Sequence, residues 1–224
     1  MKKRLALLFT ILLLAALTGC GRPADNGETL PPEGTAIQAS GGSLADAYNG
    51  FTYTLSNHTG KTVEFGTDFS VEKEADGIWQ ALPTAEDAGF DTLLLTLADG
   101  ESRTEPFGFW PLDCTVEPGT YRRVKQVGEK TLTAEFQVAA SGAPEAETAL
   151  EDLPQIYGAE EGAADGCVVF TGHGVEHADG VSTFLRQVRL GIPCRLRTVQ
   201  DYGEGASMVI DVVYEAGGFR WQMR

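Results

Sequence analysis

The feature that most constrains this chain is a two-residue alternation of apolar and polar side chains, broken at short intervals by turn residues, between about residues 37 and 139. Phe51, Tyr53 and Leu55 occupy alternate positions, and the same pattern returns from Leu132 to Val138. A strand points successive side chains to opposite faces, so the pattern predicts half-buried strands. Turn pairs such as Asp76-Gly77 separate them. Seven or more strands in about 100 residues predict a sandwich of two packed sheets.

Three segments of this part carry a resemblance to a known family. The stretches Asn57 to Gly66, Gly77 to Pro83 and Glu117 to Arg122 look, in that order, like the bacterial immunoglobulin-like domains found on surface lipoproteins. The resemblance implies that Trp79 packs in the core and that Tyr121 is a tyrosine-corner residue, with its ring buried and its hydroxyl bonded to backbone. Arg122-Arg123 departs from the alternation, so we expect one of them at a bulge or a strand edge.

The composition changes after residue 139. No large apolar side chain occurs from Ala139 to Thr148, which is typical of a linker, so we predict a linker over 140–149 and a second domain over 150–224. In the latter, Val181, Phe184, Leu185 and Val188 have the spacing of a helix that begins near Asp179 and ends before Gly191. Four predicted strands surround it, at 167–170, 194–200, 207–214 and 219–223. The predicted fold class is therefore mainly β, an immunoglobulin-like β-sandwich followed by a small α+β domain with its helix on an antiparallel sheet.

The second half is similar to the domain of unknown function 4362 family, which occurs on secreted lipoproteins of Gram-positive-type bacteria. Asp165 to Val169, the helix around Phe184, Arg195 to Arg197 and the final hairpin carry this resemblance. It implies no activity.

The N-terminus has the organisation of an export signal. Lys2-Lys3-Arg4 precedes an apolar run from Leu5 to Leu17, which has the length of a signal-peptide core and is too short for a permanent membrane span. Leu17-Thr18-Gly19-Cys20 resembles the bacterial lipobox, whose cysteine is diacylated, with palmitate-type chains, and becomes the mature N-terminus. We therefore predict a lipoprotein signal peptide at 1–19, lipidation at Cys20, a flexible tether over 20–36 and a membrane anchor at the outer face of the cell membrane.

Charge narrows the possible partners. The chain has 17 basic and 32 acidic residues, a formal charge of −15. Without the three basic residues of the signal segment, 14 basic residues face the 32 acidic ones, and the mature charge is −18. Such a surface repels phosphate backbones, so we expect no nucleic-acid partner.

One motif suggests metal chemistry. His173, Glu176 and His177 have the H-x-x-E-H spacing of inverzincin metalloproteases, where two His on a helix bind zinc and Glu is the general base. Glycines surround the motif and a predicted strand ends at about Thr171, so a solvated loop is favoured and no metal or cofactor is expected.

The remaining candidates are cysteines and tryptophans. Cys167 and Cys194 fall in predicted strands and form a possible disulfide, with buried free thiols as the alternative. Trp79 and Trp221 lie in alternating strands, where a core position is favoured, whereas Trp110 lies in a loop and is the candidate ligand contact.

These observations predict a non-enzymatic, lipid-anchored surface protein that binds an unidentified protein or envelope partner or supports an envelope assembly. The alternatives are a metal-dependent hydrolase using the His173 loop, and an inhibitor or ligand-sensing module in the C-terminal domain.

Overall fold

The computed structural model describes residues 34–203 and 205–224. Its N-terminal part is a series of strands, as the alternation predicts: β1 (Gly34–Ser40), β2 (Gly42–Ser43), β3 (Phe51–His58), β4 (Val63–Phe65), β5 (Ser70–Ala75), β6 (Ile78–Ala81), β7 (Leu95–Leu97), β8 (Ser102–Phe107), β9 (Gly119–Val127) and β10 (Lys130–Ala139). The signal segment, Cys20 and most of the predicted tether lie outside the described residues. The first strand begins at Gly34, before the predicted end of the tether at residue 36.

Two main sheets form the sandwich. One has the strand order β1-β3-β8 and the other the order β2-β10-β9-β5-β6, while β4 and β7 pair separately. Aromatic side chains from the two sheets meet in the core: the ring centroids of Phe51 and Phe136 are 5.5 Å apart, and those of Phe107 and Phe136 are 5.2 Å apart. These large apolar groups, buried between the sheets, hold the sandwich together.

The tyrosine corner implied by the resemblance is present, but the core tryptophan is not. Tyr121 is fully buried and its hydroxyl donates a hydrogen bond of 2.5 Å to the carbonyl oxygen of Glu117. Trp79 lies on β6, at the edge of its sheet, and is half-buried, with the Arg122 guanidinium 4.5 Å from its ring centroid. The prediction that Trp79 packs in the core was therefore wrong, because the register of β5 with β6 and β9 places Trp79 on the same outer face of the sheet as Arg122.

The C-terminal part contains the two α-helices of the described residues. Its elements are α1 (Ala159–Ala164), β11 (Val168–Thr171), β12 (Gly174–Glu176), α2 (Asp179–Arg189), β13 (Cys194–Gly203), β14 (Ala206–Glu215) and β15 (Gly218–Met223). They form a sheet of order β12-β11-β13-β14-β15. The pair β11 and β13 is parallel, so the sheet is mixed and not wholly antiparallel as predicted. The reason is that α2 crosses over between these two strands, and a crossover returns the chain in the same direction.

Helix α2 follows the predicted bounds but is rotated from the predicted apolar stripe. Phe184 is buried, and Val181 and Val188 are partly buried, whereas Leu185 is 58% exposed. The stripe facing the sheet is thus narrower than the hydrophobic spacing indicates. No helix among the residues described is both long and apolar enough to cross a membrane.

The chain after α2 packs against the sandwich. Leu190 and Ile192 are buried in the same core cluster as the sandwich aromatics, and the Val116 amide donates to the Leu190 carbonyl at 2.8 Å. A separate core lies beneath the C-terminal sheet, around Tyr157, Val169 and Val199. The described residues, 34–203 and 205–224, form one compact unit.

Candidate ligand-binding cavity around Arg123

The most unusual group in the sandwich is a buried cation on β9. Arg123 is 1% exposed, while Arg122 points to the other face and donates to Glu72 at 2.5 Å. The register of β9 with β10 runs without interruption from Val127 to Gly119. The expectation that one arginine sits at a bulge or edge was therefore wrong: β9 is an inner strand, and alternation places one of two adjacent arginines inside.

Aromatic rings surround the Arg123 guanidinium. Its central carbon lies 3.8 Å from the ring centroid of Tyr53, 3.9 Å from that of Phe69 and 4.9 Å from that of Phe107. Nε and Nη1 are buried and have no hydrogen-bond acceptor among the described residues. Burial lowers the pKa of Arg123 to about 10, against the opposing effect of the Tyr53, Glu105 and Asp68 charges. The group stays protonated at neutral pH, so a positive charge is held in the sandwich with no carboxylate bonded to it in the described part of the chain.

This guanidinium lies at a cavity of about 170 Å³. The cavity is lined by Tyr53, Thr67, Phe69, Gly89, Phe90, Asp91, Glu105, Pro106, Trp110 and Arg123. Three rings form one wall: Phe90 is 5.2 Å from Trp110 and 5.3 Å from Phe69, measured between centroids. Gly89 and Asp91 are exposed, so the cavity opens to solvent at their side. Trp110, the candidate ligand contact, is thus brought together with Arg123.

A segment without regular strand structure, between β6 and β7, supplies the outer wall. It carries Phe90 and Asp91, and the Thr67 hydroxyl donates to the Asp91 carbonyl at 2.5 Å. Further back, the Ala85 amide donates to the Pro111 carbonyl at 2.8 Å. These bonds fix the wall to the sandwich beside Trp110.

The nearby carboxylate of Glu105 already has its own partners. It accepts hydrogen bonds of 2.6 Å from the Tyr53 hydroxyl and 2.6 Å from Nε of Arg103. Burial alone would raise the pKa of Glu105, but these bonds and the Arg103 charge outweigh burial and lower it. Burial and the bond to Glu105 raise the pKa of Tyr53 to about 12. Glu105 is therefore ionised and compensated by Arg103, which leaves Arg123 as the uncompensated charge.

A second buried cation on the same strand differs from Arg123 in its hydrogen bonding. Lys125 is also 1% exposed, but its Nζ donates to the carbonyl of Gly66 at 2.7 Å and to that of Asp68. Hydrogen bonds thus satisfy Lys125 and not Arg123. Sequence reasoning missed both residues. The available signal was parity: Arg123 and Lys125 are two and four residues beyond Tyr121, and so share its buried face.

The C-terminal part has a larger but better compensated groove of about 630 Å³, lined by Arg195, Arg197, Asp179, Phe184 and others. Both arginines are bonded to the buried Asp211: Nη1 of Arg195 at 2.9 Å, and Nε of Arg197 at 2.6 Å. The bond to Asp211 raises the pKa of Arg197. Their charge is therefore directed at Asp211 rather than towards a ligand.

The His173 motif lies in a hairpin and its exit, not on a helix. His173 is in the turn between β11 and β12, and His177 follows β12 with a φ of 51°. Nε2 of His177 lies 3.2 Å from the carbonyl oxygen of Ala163. No group of three or more His, Cys, Asp or Glu that could hold a metal ion occurs in the described part of the chain.

The two cysteines of the possible disulfide are free. Cys167 and Cys194 are buried and unbonded, so the structure does not contain that disulfide. The register explains why: Val168 pairs with Thr198, which places Cys167 beside Arg197, three residues along the strand from Cys194. Burial raises the pKa of the Cys194 thiol to about 12, so it is not a thiolate nucleophile.

The third tryptophan also lies away from the predicted core. Trp221 is 64% exposed on β15, an edge strand, with Phe219 and Met223 exposed beside it. The expectation of a core position for Trp221 was wrong because no element covers that end of the sheet among the residues described.

Comparisons with known proteins bear on the N-terminal part. No curated protein matches the sequence significantly. Among solved structures, a family 123 glycoside hydrolase from Clostridium perfringens, described in terms of glycolipid glycan hydrolysis, is 10% identical with a TM-score of 0.27. That alignment covers 79% of this chain and 51% of the hydrolase, about half its length, and the likeness is too low to carry an argument. Residues 32–137 match the family model of a bacterial Ig-like domain, in agreement with the tyrosine corner, and this part of the chain is an immunoglobulin-like β-sandwich.

Proposed function

We propose that this chain is a lipid-anchored protein of the bacterial cell surface that binds an envelope component in the Arg123 cavity and catalyses no reaction. The observation that carries the binding role is the buried Arg123 guanidinium, whose Nε and Nη1 have no partner among the residues described, beside a cavity walled by aromatic side chains. Burying an unpaired charge costs several kcal/mol, and ligand pockets commonly combine aromatic walls with a single charged group.

The surface location is supported by the match to bacterial Ig-like domains and by the N-terminal sequence. Lipidation at Cys20 would place two or three acyl chains in the membrane, enough for stable anchoring. The acidic excess argues against a nucleic-acid partner.

For the C-terminal part, we propose membership of the domain of unknown function 4362 family. The residues that carry this resemblance have structural roles here: Arg195 and Arg197 bond Asp211, and Phe184 packs α2 on the sheet. In this proposal the C-terminal part stabilises the sandwich, because its residues Leu190 and Ile192 complete the sandwich core.

The anchor is tested by fractionation. The Cys20→Ala variant should leave the membrane fraction when cells are broken without detergent, because no acyl chains can be attached. If the variant stays with the membrane, another anchor exists.

The binding role is tested by sedimentation of the purified full chain with bacterial envelope fragments. Trp110→Ala should reduce the bound fraction at least about fivefold, since it removes part of the cavity wall. Trp221→Ala is the matched control, because Trp221 is exposed and far from the cavity in sequence and sheet. Equal loss in both variants, or loss in neither, would overturn the assignment of binding to this cavity.

A further inference from the structure

We propose that the Arg123 cavity binds a carboxylate group carried on a flat, ring-sized apolar body; this inference rests on the proposed function and specifies the ligand of the same site. Arg123 lines the cavity and is 1% exposed, and its buried Nε and Nη1 have no hydrogen-bond partner among the described residues. In a site of low dielectric, an anionic acceptor forms a stronger hydrogen bond with such a donor than a neutral one does.

The carboxylate already present does not fill this role. Glu105 is held by Tyr53 and Arg103, at 2.6 Å each, and acts on Arg123 only as a neighbouring charge. Asp91 is exposed at the mouth of the cavity, where water screens it. The Arg123 guanidinium is thus bonded to no carboxylate among the described residues, although the Glu105 and Asp68 charges act on it.

Other ligand charges fit less well. The rings of Tyr53, Phe69 and Phe107 could attract a cation, but the Arg123 guanidinium already occupies their faces and would repel a second one. A polyphosphate would need several cationic donors, whereas Glu105 and Asp91 would repel its additional charges. A single carboxylate matches a single guanidinium.

The wall sets the shape of the rest of the ligand. Phe69, Phe90 and Trp110 have centroids 5.2 to 6.4 Å apart and present ring surface to the cavity. Such surfaces favour a flat apolar partner that can stack or meet them edge to face. The volume of about 170 Å³ matches about five or six waters at about 30 Å³ each, the space of one substituted ring and not of a polymer. A longer ligand would extend out of the cavity on the side of Gly89.

The test is a titration of the purified full chain with simple probes, followed by the intrinsic fluorescence of tryptophan. Benzoate is the carboxylate probe, benzamide its neutral isostere and benzylamine its cationic counterpart. Glucuronate, a carboxylate on a sugar ring, distinguishes an acidic sugar from an aromatic acid as the source of the group. We expect benzoate to bind at least about tenfold more tightly than benzamide and more tightly than glucuronate, and benzylamine not to bind; tighter binding of glucuronate would overturn the flat apolar body.

Variants assign the binding to the guanidinium. Arg123→Met should abolish the preference of the protein for benzoate over benzamide, while Arg122→Met, on the opposite face of the same strand, should keep it. Since Arg123 is buried, circular dichroism checks that the variant folds; if it does not, Trp110→Ala, titrated by calorimetry because it lacks the cavity tryptophan, should weaken carboxylate binding at least about fivefold with the fold intact.

Equal binding of benzoate and benzamide, tighter binding of benzylamine, or equal effects of the two arginine variants would overturn the carboxylate assignment. If no probe binds while envelope sedimentation still depends on Trp110, the ligand class is wrong and the proposed function stands. If neither probe binding nor sedimentation depends on Trp110, both fail.

Discussion

Arg123 and Lys125 lie two positions apart on β9 but differ in the hydrogen bonds that their buried cationic groups make. Lys125 has two backbone carbonyl acceptors, whereas Nε and Nη1 of Arg123 have none within residues 34–203 and 205–224. A buried charge without hydrogen bonds destabilises a fold, so a purely structural residue at position 123 would more favourably be apolar. Stacking between Tyr53 and Phe69 recovers part of this cost. We attribute the rest of this cost to the proposed role of the Arg123 guanidinium in binding a ligand.

Glu105 makes the charge state of the cavity dependent on pH. Hydrogen bonds from Tyr53 and Arg103 outweigh burial and hold its pKa below the ordinary value of 4.5. A carboxylate with a lowered pKa in the folded state stabilises the protein above its unfolded pKa, and this contribution disappears as the pH falls through the folded pKa. The free energy of unfolding of the wild type should therefore exceed that of Glu105→Gln at pH 7, and the difference should shrink below about pH 4.5.

Urea unfolding of both proteins at several pH values measures this difference. Glu135→Gln, an exposed position on β10, is the control and should show almost no difference. A difference for Glu105→Gln that does not change with pH would mean that its hydrogen bonds do not depend on ionisation.

For individual strands and helices, the local sequence pattern predicted those features that depend on neighbouring residues alone. The alternation around Phe51 and Phe136 predicted β3 and β10, and Asp179 and Gly191 marked the limits of α2. The parallel pairing of β11 with β13 was missed because it joins segments that are distant in sequence. The burial of Arg123 was missed for another reason: residue type was given more weight than strand parity.

Helix α2 offers a direct test of its orientation. Phe184 is 6% exposed and Leu185 is 58% exposed, although both belong to the apolar pattern of the sequence. Phe184→Ala should lower the free energy of unfolding by about 3 to 5 kcal/mol, since it leaves a cavity against the sheet. Leu185→Ala should change it by less than about 0.5 kcal/mol.

Arg186→Ala belongs to the same comparison. Its guanidinium lies 3.6 Å from the Asp87 carboxylate, and both side chains are largely exposed, so removal of the pair should also cost less than about 0.5 kcal/mol. Denaturant melts of the full chain compare the three variants. A Leu185→Ala effect as large as that of Phe184→Ala would show that the helix is rotated from this arrangement.

For the molecule as a whole, the central question is whether the sandwich and the C-terminal part unfold together. The sequence predicts a linker over 140–149, and no helix or strand forms there. Yet the chain returns to the sandwich after α2, where Leu190 and Ile192 enter its core and Arg189 pairs with Asp113. These contacts are made by the end of α2 and the segment that joins it to β13. The composition of residues 140–149 could not predict them.

Ile192→Ala tests this coupling, because Ile192 is fully buried in the sandwich core while its backbone joins α2 to β13. Loss of its buried side chain should cost about 2 to 5 kcal/mol. If the two parts unfold as one cooperative unit, hydrogen exchange should show reduced protection of the slowest amides in both β9 and β14, by a similar free energy. Val209→Ala, in the separate core of the C-terminal part, should then have the same effect on both strands. Protection lost in β9 alone for Ile192→Ala, and in β14 alone for Val209→Ala, would instead mean that the two parts are independent folding units, and that the C-terminal part does not stabilise the sandwich that holds the Arg123 cavity.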